Sequence, residues 1–410
     1  MSDPQAVANA VARLYDTYPF PPEPLLDAPP PGYNWRWQWQ AAYSFCTGQR
    51  PARSDIRILD AGCGTGVGTE YLVHLNPEAQ VTAIDLSAGA LAVARERCQR
   101  SGADRVEFQH LSLYDAAQLP GEFELINCVG VLHHLPDPVQ GLQALAAKLA
   151  PGGIFHIFVY AELGRWEVQL MQQAIALLQG EQRGDYRDGV QVGRAIFATL
   201  PADNPLVERD HQRWSLENQR DECFADMYVH PQEIDYNIDT LFDLVAASGL
   251  EFVGFSNPAQ WELSRLLGGS DLLQARAAAL SDRQRYRLIE LLDPKQVTHY
   301  EFFLARPPLR RYDWQDDAEL LAAIPTRHPC LEGWPSRCLF NGNYEIVNLS
   351  EAELTFLQTC DRNLSQQATL ATLLTTSTLS LPEIRRLWQQ QLLLLTPNPD
   401  ENKATAPCLP

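Results

Sequence analysis

The chain has 410 residues, too many for one compact core and enough for two or three domains. Hydrophobic residues make up 45% and charged residues 20%, and no apolar run is long enough to cross a bilayer, which argues against a membrane protein. Acidic residues outnumber basic ones by 51 to 32, and the net charge of −19 repels phosphate backbones, so no nucleic-acid partner is expected.

The nine cysteines, Cys46, Cys63, Cys98, Cys128, Cys223, Cys330, Cys338, Cys360 and Cys408, form no CxxC pair. Neither a metal site nor a disulfide framework is expected. Reduced thiols and a cytoplasmic location are the expectation. The first twenty residues lack the basic start and apolar centre of a secretory signal.

In chain order, residues 4–15 predict a short helix with Val7, Val11 and Leu14 on one face. Seven prolines between Pro19 and Pro31 then forbid a regular helix and predict an extended strap. The segment NWRWQWQAAYSF reads as an aromatic-rich helix, in which Trp35, Trp37 and Trp39 are expected to pack rather than to line an acceptor pocket. Residues 1–50 are thus read as a helical, proline-rich strap and lid.

From Ile56 the texture changes. The apolar runs IRILDAG, AQVTAID, VEFQHL, FELINCV and GIFHIFVY alternate with helical stretches near 66–76, 87–100 and 138–149. Such alternation predicts an α/β fold with a parallel sheet. The alternation lapses after Tyr160 and returns at 238–248, 251–255 and 297–305. Residues 51–306 therefore read as one domain, with helical cap insertions at 162–232 and 260–292. Residues 307–324 read as a linker, 325–398 as a separate module with winged-helix-like order, and 399–410 as a disordered tail.

The chemistry concentrates in ILDAGCGTGVGT, residues 58–69. An apolar strand ends at Asp60, a turn with Gly62, Gly64 and Gly66 follows, and a helix begins. Glycines let the backbone turn tightly and approach a ligand, and a helix N-terminus attracts a carboxylate. A dinucleotide fingerprint needs glycines at relative positions 1, 3 and 6, but the sixth position holds Val67 in one frame and Thr69 in the other. The spacing suits a ligand with an amino-acid tail. Asp85 closes the next strand, where an acid accepts hydrogen bonds from ribose hydroxyls, and Ser87 caps the following helix.

With these motifs in place, residues 56–160 resemble the catalytic core of class I S-adenosylmethionine-dependent methyltransferases. DAGCGTG resembles that family's first motif and AIDLS its second, while VGVLHHLPDP and LAPGG resemble its fourth- and fifth-strand segments. The resemblance implies a Rossmann-like seven-stranded sheet with the last strand antiparallel, and S-adenosyl-L-methionine as cofactor. It places Asp60, Gly62, Cys63, Gly64 and Gly66 about the methionine part, Asp85 on the ribose and Leu86 against adenine, with Val129 closing the fourth strand. The adenine-edge position, often Asp in the family, falls here on Ser112, with Leu113 next. Serine is the weaker acceptor.

YDTYPFPP, FVYAELGR and DMYVHPQEIDYNIDTLFDLVAASGLEFVGF are similar to a group of bacterial methyltransferases of poorly defined acceptor. The similarity implies a lid that includes Tyr15 and Tyr18. YEIVNLSEAELTFLQTCDRN resembles winged-helix modules that follow other methyltransferase domains.

Methyl transfer is an in-line displacement, and it needs a base only if the acceptor must lose a proton. His133 and His134, just past the fourth strand, are the candidate bases, against the simpler reading that they order the loop. Tyr160 and Glu162 share the same rim as candidate acceptor contacts. A small-molecule acceptor is the first expectation. A protein side chain, held by the C-terminal module, is the second. A nicotinamide-dependent oxidoreductase and a non-catalytic adenosyl-binding scaffold are remote alternatives.

Overall fold

The computed structural model describes residues 4–398, so the tail expected to be disordered, with Cys408, lies outside the described residues. Two compact units are present. The first comprises residues 4–29, Arg57–Val73 and Gln80–Pro307, and the second comprises Pro30–Ile56, His74–Ala79 and residues 308–398.

The first unit is built on a seven-stranded sheet of order β3-β2-β1-β4-β5-β7-β6. Its strands are β1 (Arg57–Ala61), β2 (Gln80–Asp85), β3 (Val106–His110), β4 (Phe123–Val129), β5 (Leu149–Tyr160), β6 (Glu251–Phe255) and β7 (His299–Ala305). All neighbours are parallel except β7, which runs antiparallel to β5 and β6. The apolar runs are nearly continuous because helices cover both faces, so Ile58, Leu59, Ala83, Ile84, Leu125 and Ile126 are all buried.

In chain order the helices begin with α1 (Pro4–Thr17) and, in the second unit, α2 (Trp39–Thr47). Flanking the sheet are α3 (Val67–Leu75), α4 (Ala88–Ser101) and α5 (Pro138–Ala146). The Ser87 hydroxyl accepts the Ala90 N–H at 3.0 Å, the cap expected from the sequence. The insertion after β5 folds into α6 (Trp166–Gln179), α7 (Tyr186–Thr199), α8 (Pro205–Arg213) and α9 (Asp221–Tyr228). These helices bury Val168, Met171, Ile175, Val190, Phe224 and Tyr228 in a cluster of their own, which Leu14 of α1 joins. After α10 (Ile238–Ser248), the second insertion supplies α11 (Ser264–Leu267), α12 (Asp271–Ala277) and α13 (Asp282–Leu292), with Ile289 in the main core.

The proline strap is pinned by one buried cation. Arg97 of α4 donates to the carbonyls of Thr65 at 2.9 Å, Pro24 at 2.9 Å and Glu23 at 2.7 Å. Glu70 lies 3.7 Å from the same guanidinium and balances its charge.

In the second unit, residues 308–324, nearly all of the stretch expected as a linker over 307–324, contribute to its core. Tyr312 and Trp314 are buried and stack at 5.0 Å, and the Trp314 indole donates to the Gly48 carbonyl at 2.7 Å. Two large rings gain more from burial than from lying along a solvated connection. The helix α14 (Asp317–Ala322), strand β8 (Ile324–Arg327) and hairpin β9 (Cys338–Phe340)/β10 (Ile346–Asn348) follow. Then come α15 (Glu351–Gln366), α16 (Leu370–Leu374), α17 (Leu381–Gln389) and β11 (Leu393–Thr396), which pairs antiparallel with β8. The third helix thus leads into a strand that pairs back to β8.

The aromatic helix expected near 34–45 starts as a short 3-10 turn, Trp35–Trp37, because Gln38 is extended. Trp35 and Trp39 are core residues of this unit. Among the described residues no helix is long and apolar enough to cross a membrane.

Candidate functional site

The site is assembled at the carboxyl ends of the parallel strands. Gly62, Gly64 and Gly66 all take left-handed backbone, with φ of 81°, 51° and 82°. A Cβ on Gly62 would stand 2.4 Å from Val131 Cγ2, on Gly64 2.6 Å from the Phe20 carbonyl oxygen, and on Gly66 2.8 Å from Ala94 Cβ. The turn is as tight as expected. The space left by its missing side chains is taken by the β4 loop, the strap and α4. The turn's N–H groups are also engaged within the protein: Gly62 and Cys63 donate to the Ile84 carbonyl, Thr65 to Phe20 and Gly66 to Cys63. The turn therefore acts as a rigid platform, and its own amides do not stand open to a carboxylate.

Asp60 fixes that platform. Its carboxylate is buried, accepts from the Thr69 hydroxyl at 2.6 Å and from the Asn127 amide at 2.8 Å, and so ties β1 to α3 and β4. Burial raises its pKa, and the two hydrogen bonds oppose the rise. Cys63 is buried in a small cluster with Ala83 and Leu91, and burial pushes its thiol far up, which leaves it inert. Among the described residues every cysteine is free.

Asp85, half-buried at the end of β2, reaches across the turn. One carboxylate oxygen accepts the Gly64 N–H at 2.8 Å and the other the Ser87 N–H at 2.8 Å. Burial raises its pKa, and the N–H groups of Ser87, Gly64 and Leu86 pull it back. Each oxygen keeps a lone pair, which suits a vicinal diol. Beside it, Leu86 and Val129 are half-buried, while Ser112 caps a 3-10 turn and accepts from the Tyr114 N–H at 3.4 Å. Leu113, next in sequence, is buried in the main core. This donor and acceptor set fits an adenosyl group.

Tyr15, His133, His134 and Tyr160 are brought together in one buried polar cluster. The His133 ring lies 4.1 Å from both the His134 and Tyr160 rings, and both of its nitrogens lack a hydrogen-bond partner although it is fully buried. His134 gives its Nδ1 proton to the Gln232 carbonyl at 2.9 Å, and burial drives its pKa down to about 3. Burial likewise drives His133 well below the ordinary histidine range. Burial thus disfavours the protonated form that either histidine would take as a base. Glu162 accepts from Asn237 at 2.7 Å and is spent on the start of α10. Tyr18 diverges from Tyr15 and packs into the apolar cluster of the cap.

The insertion supplies residues that sequence reasoning passed over. Arg165 covers the Tyr160 ring at 3.5 Å and is itself held by Glu233 at 3.2 Å and Asp235 at 4.0 Å. The His230 ring stacks on His134 at 3.7 Å. Asp226 of α9 accepts from the Tyr15 hydroxyl at 2.9 Å. Asp226, His230, Glu233 and Asp235 all lie in DMYVHPQEIDYNID, a segment marked only as a resemblance. Its charged residues are too few and too irregular to announce a site before α6 and α9 fold over the strand ends.

Burial holds the Asp226 carboxyl at about 6, against an ordinary value of 3.8, with the Tyr15 hydrogen bond opposing. Between those values the folded chain keeps a proton that the unfolded chain releases, so stability falls as pH rises through that window and stays lower above it. Asp226→Asn removes the cost. The variant is expected to be more stable than the parent by about 2 kcal/mol near pH 8 and little different near pH 4, by urea unfolding at both. A variant no more stable near pH 8 would show that this carboxyl is not desolvated.

With the geometry established, comparison with known proteins decides the family. The chain is 65% identical over 395 residues, 96% of its length and 94% of the relative's, to "Uncharacterized protein syc1184_c" of Synechococcus sp.. The chain belongs to that protein's family. Residues 59–155 match the methyltransferase domain. The "Uncharacterized phycocyanin operon protein W" of Pseudanabaena tenuis is 79% identical over 101 residues, a quarter of this chain and 94% of that one. The "Ubiquinone biosynthesis O-methyltransferase" of Aromatoleum aromaticum is 43% identical over 98 residues, 24% of this chain and 41% of that one. PKMT2 from Rickettsia typhi, solved in complex with AdoHcy, shares the fold over 90% of this chain and 77% of its own, with a TM-score of 0.60 at 15% identity. The chain thus carries a methyltransferase domain, of the kind that uses S-adenosyl-L-methionine as cofactor.

Proposed function

We propose that this methyltransferase acts on a small polar molecule. The acceptor would enter by a groove in the cap and present its nitrogen or oxygen to the buried cluster. One observation carries the reading. A half-open groove of about 680 Å³ between α1, α6 and α7 has His230 and Glu233 in its lining, and both also belong to the cluster at the strand ends. That volume lies in the range of small-molecule sites. The net charge of −19 and the acids about Arg165 favour a neutral or cationic acceptor over a phosphorylated one, nucleic acid included.

Asp85 would hold the ribose, with Leu86, Ser112 and Val129 beside the adenine. The cofactor, when bound, supplies an electrophilic methyl group. The chain's own residues orient the acceptor and exclude water, and Arg165 with Tyr160 walls the site.

A protein side chain is the second reading. It is favoured by Trp166, Leu170 and Leu177 of α6, exposed at 40%, 48% and 82%, of which Leu177 lines the groove. The name of the Pseudanabaena relative makes phycocyanin subunits the first protein acceptors to try. The test supplies methyl-labelled S-adenosylmethionine to the chain with Synechococcus extract, then with purified phycocyanin. Label in the small-molecule fraction supports the first reading. Label in protein overturns it for the second, and binding without any labelled product would mean a scaffold.

A further inference from the structure

Resting on that reading of the cofactor site, we propose that the Tyr15 hydroxyl faces the transferable methyl group and receives the acceptor's proton, handing its own to Asp226. Three observations place it there. First, Asp16, next to Tyr15, accepts the Ser87 hydroxyl at 2.6 Å just past β2, and the Tyr15 ring is linked to the end of β5 through His230 at 5.7 Å, His134 at 3.7 Å from His230, and Tyr160 at 6.0 Å from His134. These contacts tie Tyr15 to the ends of β2 and β5, which flank β1 and β4 in the sheet.

Second, its hydrogen bonds are fixed. His230 Nδ1 accepts the Gln232 N–H at 3.1 Å, which leaves the ring proton on Nε2, 3.3 Å from the Tyr15 oxygen. The phenol therefore accepts from His230 and donates to Asp226 at 2.9 Å. A phenol has one proton and two lone pairs, so one lone pair is left to take a proton from a third group.

Third, the other polar groups nearby cannot serve. The two histidines beside Tyr160 are held neutral and weakly basic by burial. Tyr160 itself lies under a guanidinium. Glu233 and Asp235 are committed to Arg165.

The step balances. The acceptor atom bonds to carbon as the carbon–sulfur bond breaks, and the electron pair stays on sulfur. The acceptor's proton passes to the Tyr15 oxygen while the Tyr15 proton passes to the Asp226 carboxylate. One positive and one negative charge disappear together, which a water-poor site favours. Tyr15 touches the acceptor; Asp226 acts through it as a positioning and proton-holding residue. The groups that face Asp226 are Tyr15 and, at longer range, Arg165, Tyr160, Glu233 and Cys223.

The test needs no acceptor. It compares, by calorimetry, S-adenosylhomocysteine with an analogue in which an amine-bearing carbon replaces the sulfur, so that an ammonium stands where the methyl group does. The parent is expected to prefer the ammonium analogue by about tenfold or more near pH 8, and to lose most of that preference near pH 5, where Asp226 is protonated. Asp226→Asn is expected to bind S-adenosylhomocysteine within about threefold of the parent and to show no preference at either pH. Tyr15→Phe keeps the ring and is expected to reduce the preference severalfold. A preference unchanged in Asp226→Asn, or absent from the parent, overturns the proposal. Failure of the parent to bind S-adenosylhomocysteine at all would instead overturn the cofactor-site assignment on which it rests.

Discussion

Asp85→Ala is expected to weaken S-adenosylhomocysteine binding by about 100-fold or more. Two hydrogen bonds from a ribose to a charged group, at ~1.5–3 kcal/mol each, are lost together. The same substitution releases the Gly64 and Ser87 N–H groups and so loosens the turn as well. Asp85→Asn separates the two effects, because an amide oxygen still accepts from one N–H. It is expected to bind about tenfold more weakly than the parent while unfolding at nearly the parental urea concentration. Calorimetry gives the affinities. NAD is expected to show no binding to any of the three proteins, since neither glycine frame in residues 62–69 fits a pyrophosphate. An Asp85→Ala protein with parental affinity would show that the ribose lies elsewhere.

The second large effect belongs to Arg165→Ala, which is expected to cost about 3–5 kcal/mol of stability near neutral pH. Arg165 is 2% exposed and is the cation for Glu233 and Asp235, whose side chains are buried. Removing it strands two carboxylates and uncovers the Tyr160 ring. Burial already raises both carboxyl pKa values, and Arg165 is the largest influence that holds them down. Without it they rise further, and acids with raised folded pKa values lose stability as pH increases. The deficit is therefore expected to shrink toward pH 5 and to grow toward pH 8 in urea titrations. A deficit under ~1 kcal/mol near pH 8, or one independent of pH, would mean that the carboxylates find water when the cation goes.

The fold core was legible because its signals are local. Six of the seven sheet strands lie within the apolar runs read from the sequence, β7 among them in 297–305, while β5 starts at Leu149, four residues ahead of its run and at the end of the stretch read as helical. Backbone pairing and burial on both faces leave such runs little else to become. The turn at Gly62–Gly66 and the cap at Ser87 were legible for the same reason, since each depends on residues a few positions apart. The boundary of the second unit was not. Tyr312 and Trp314 looked like part of a connection because nothing in their neighbourhood says that Gly48 will meet them. His133 and His134 could be picked out, but not their environment, because burial, which lowers the basicity of both, belongs to the assembled fold.

By itself, then, the order of residues determined the sheet, the bend after its first strand and the acid that closes its second. Each follows from hydrogen bonds and steric limits within a short stretch of chain. Only the tertiary structure decided that Tyr15 meets Asp226, 211 residues further on, and that Arg165 stands between Tyr160 and two acids. Contacts of that range depend on how helices pack, and desolvation, which gives these groups their chemistry, exists only after packing is complete.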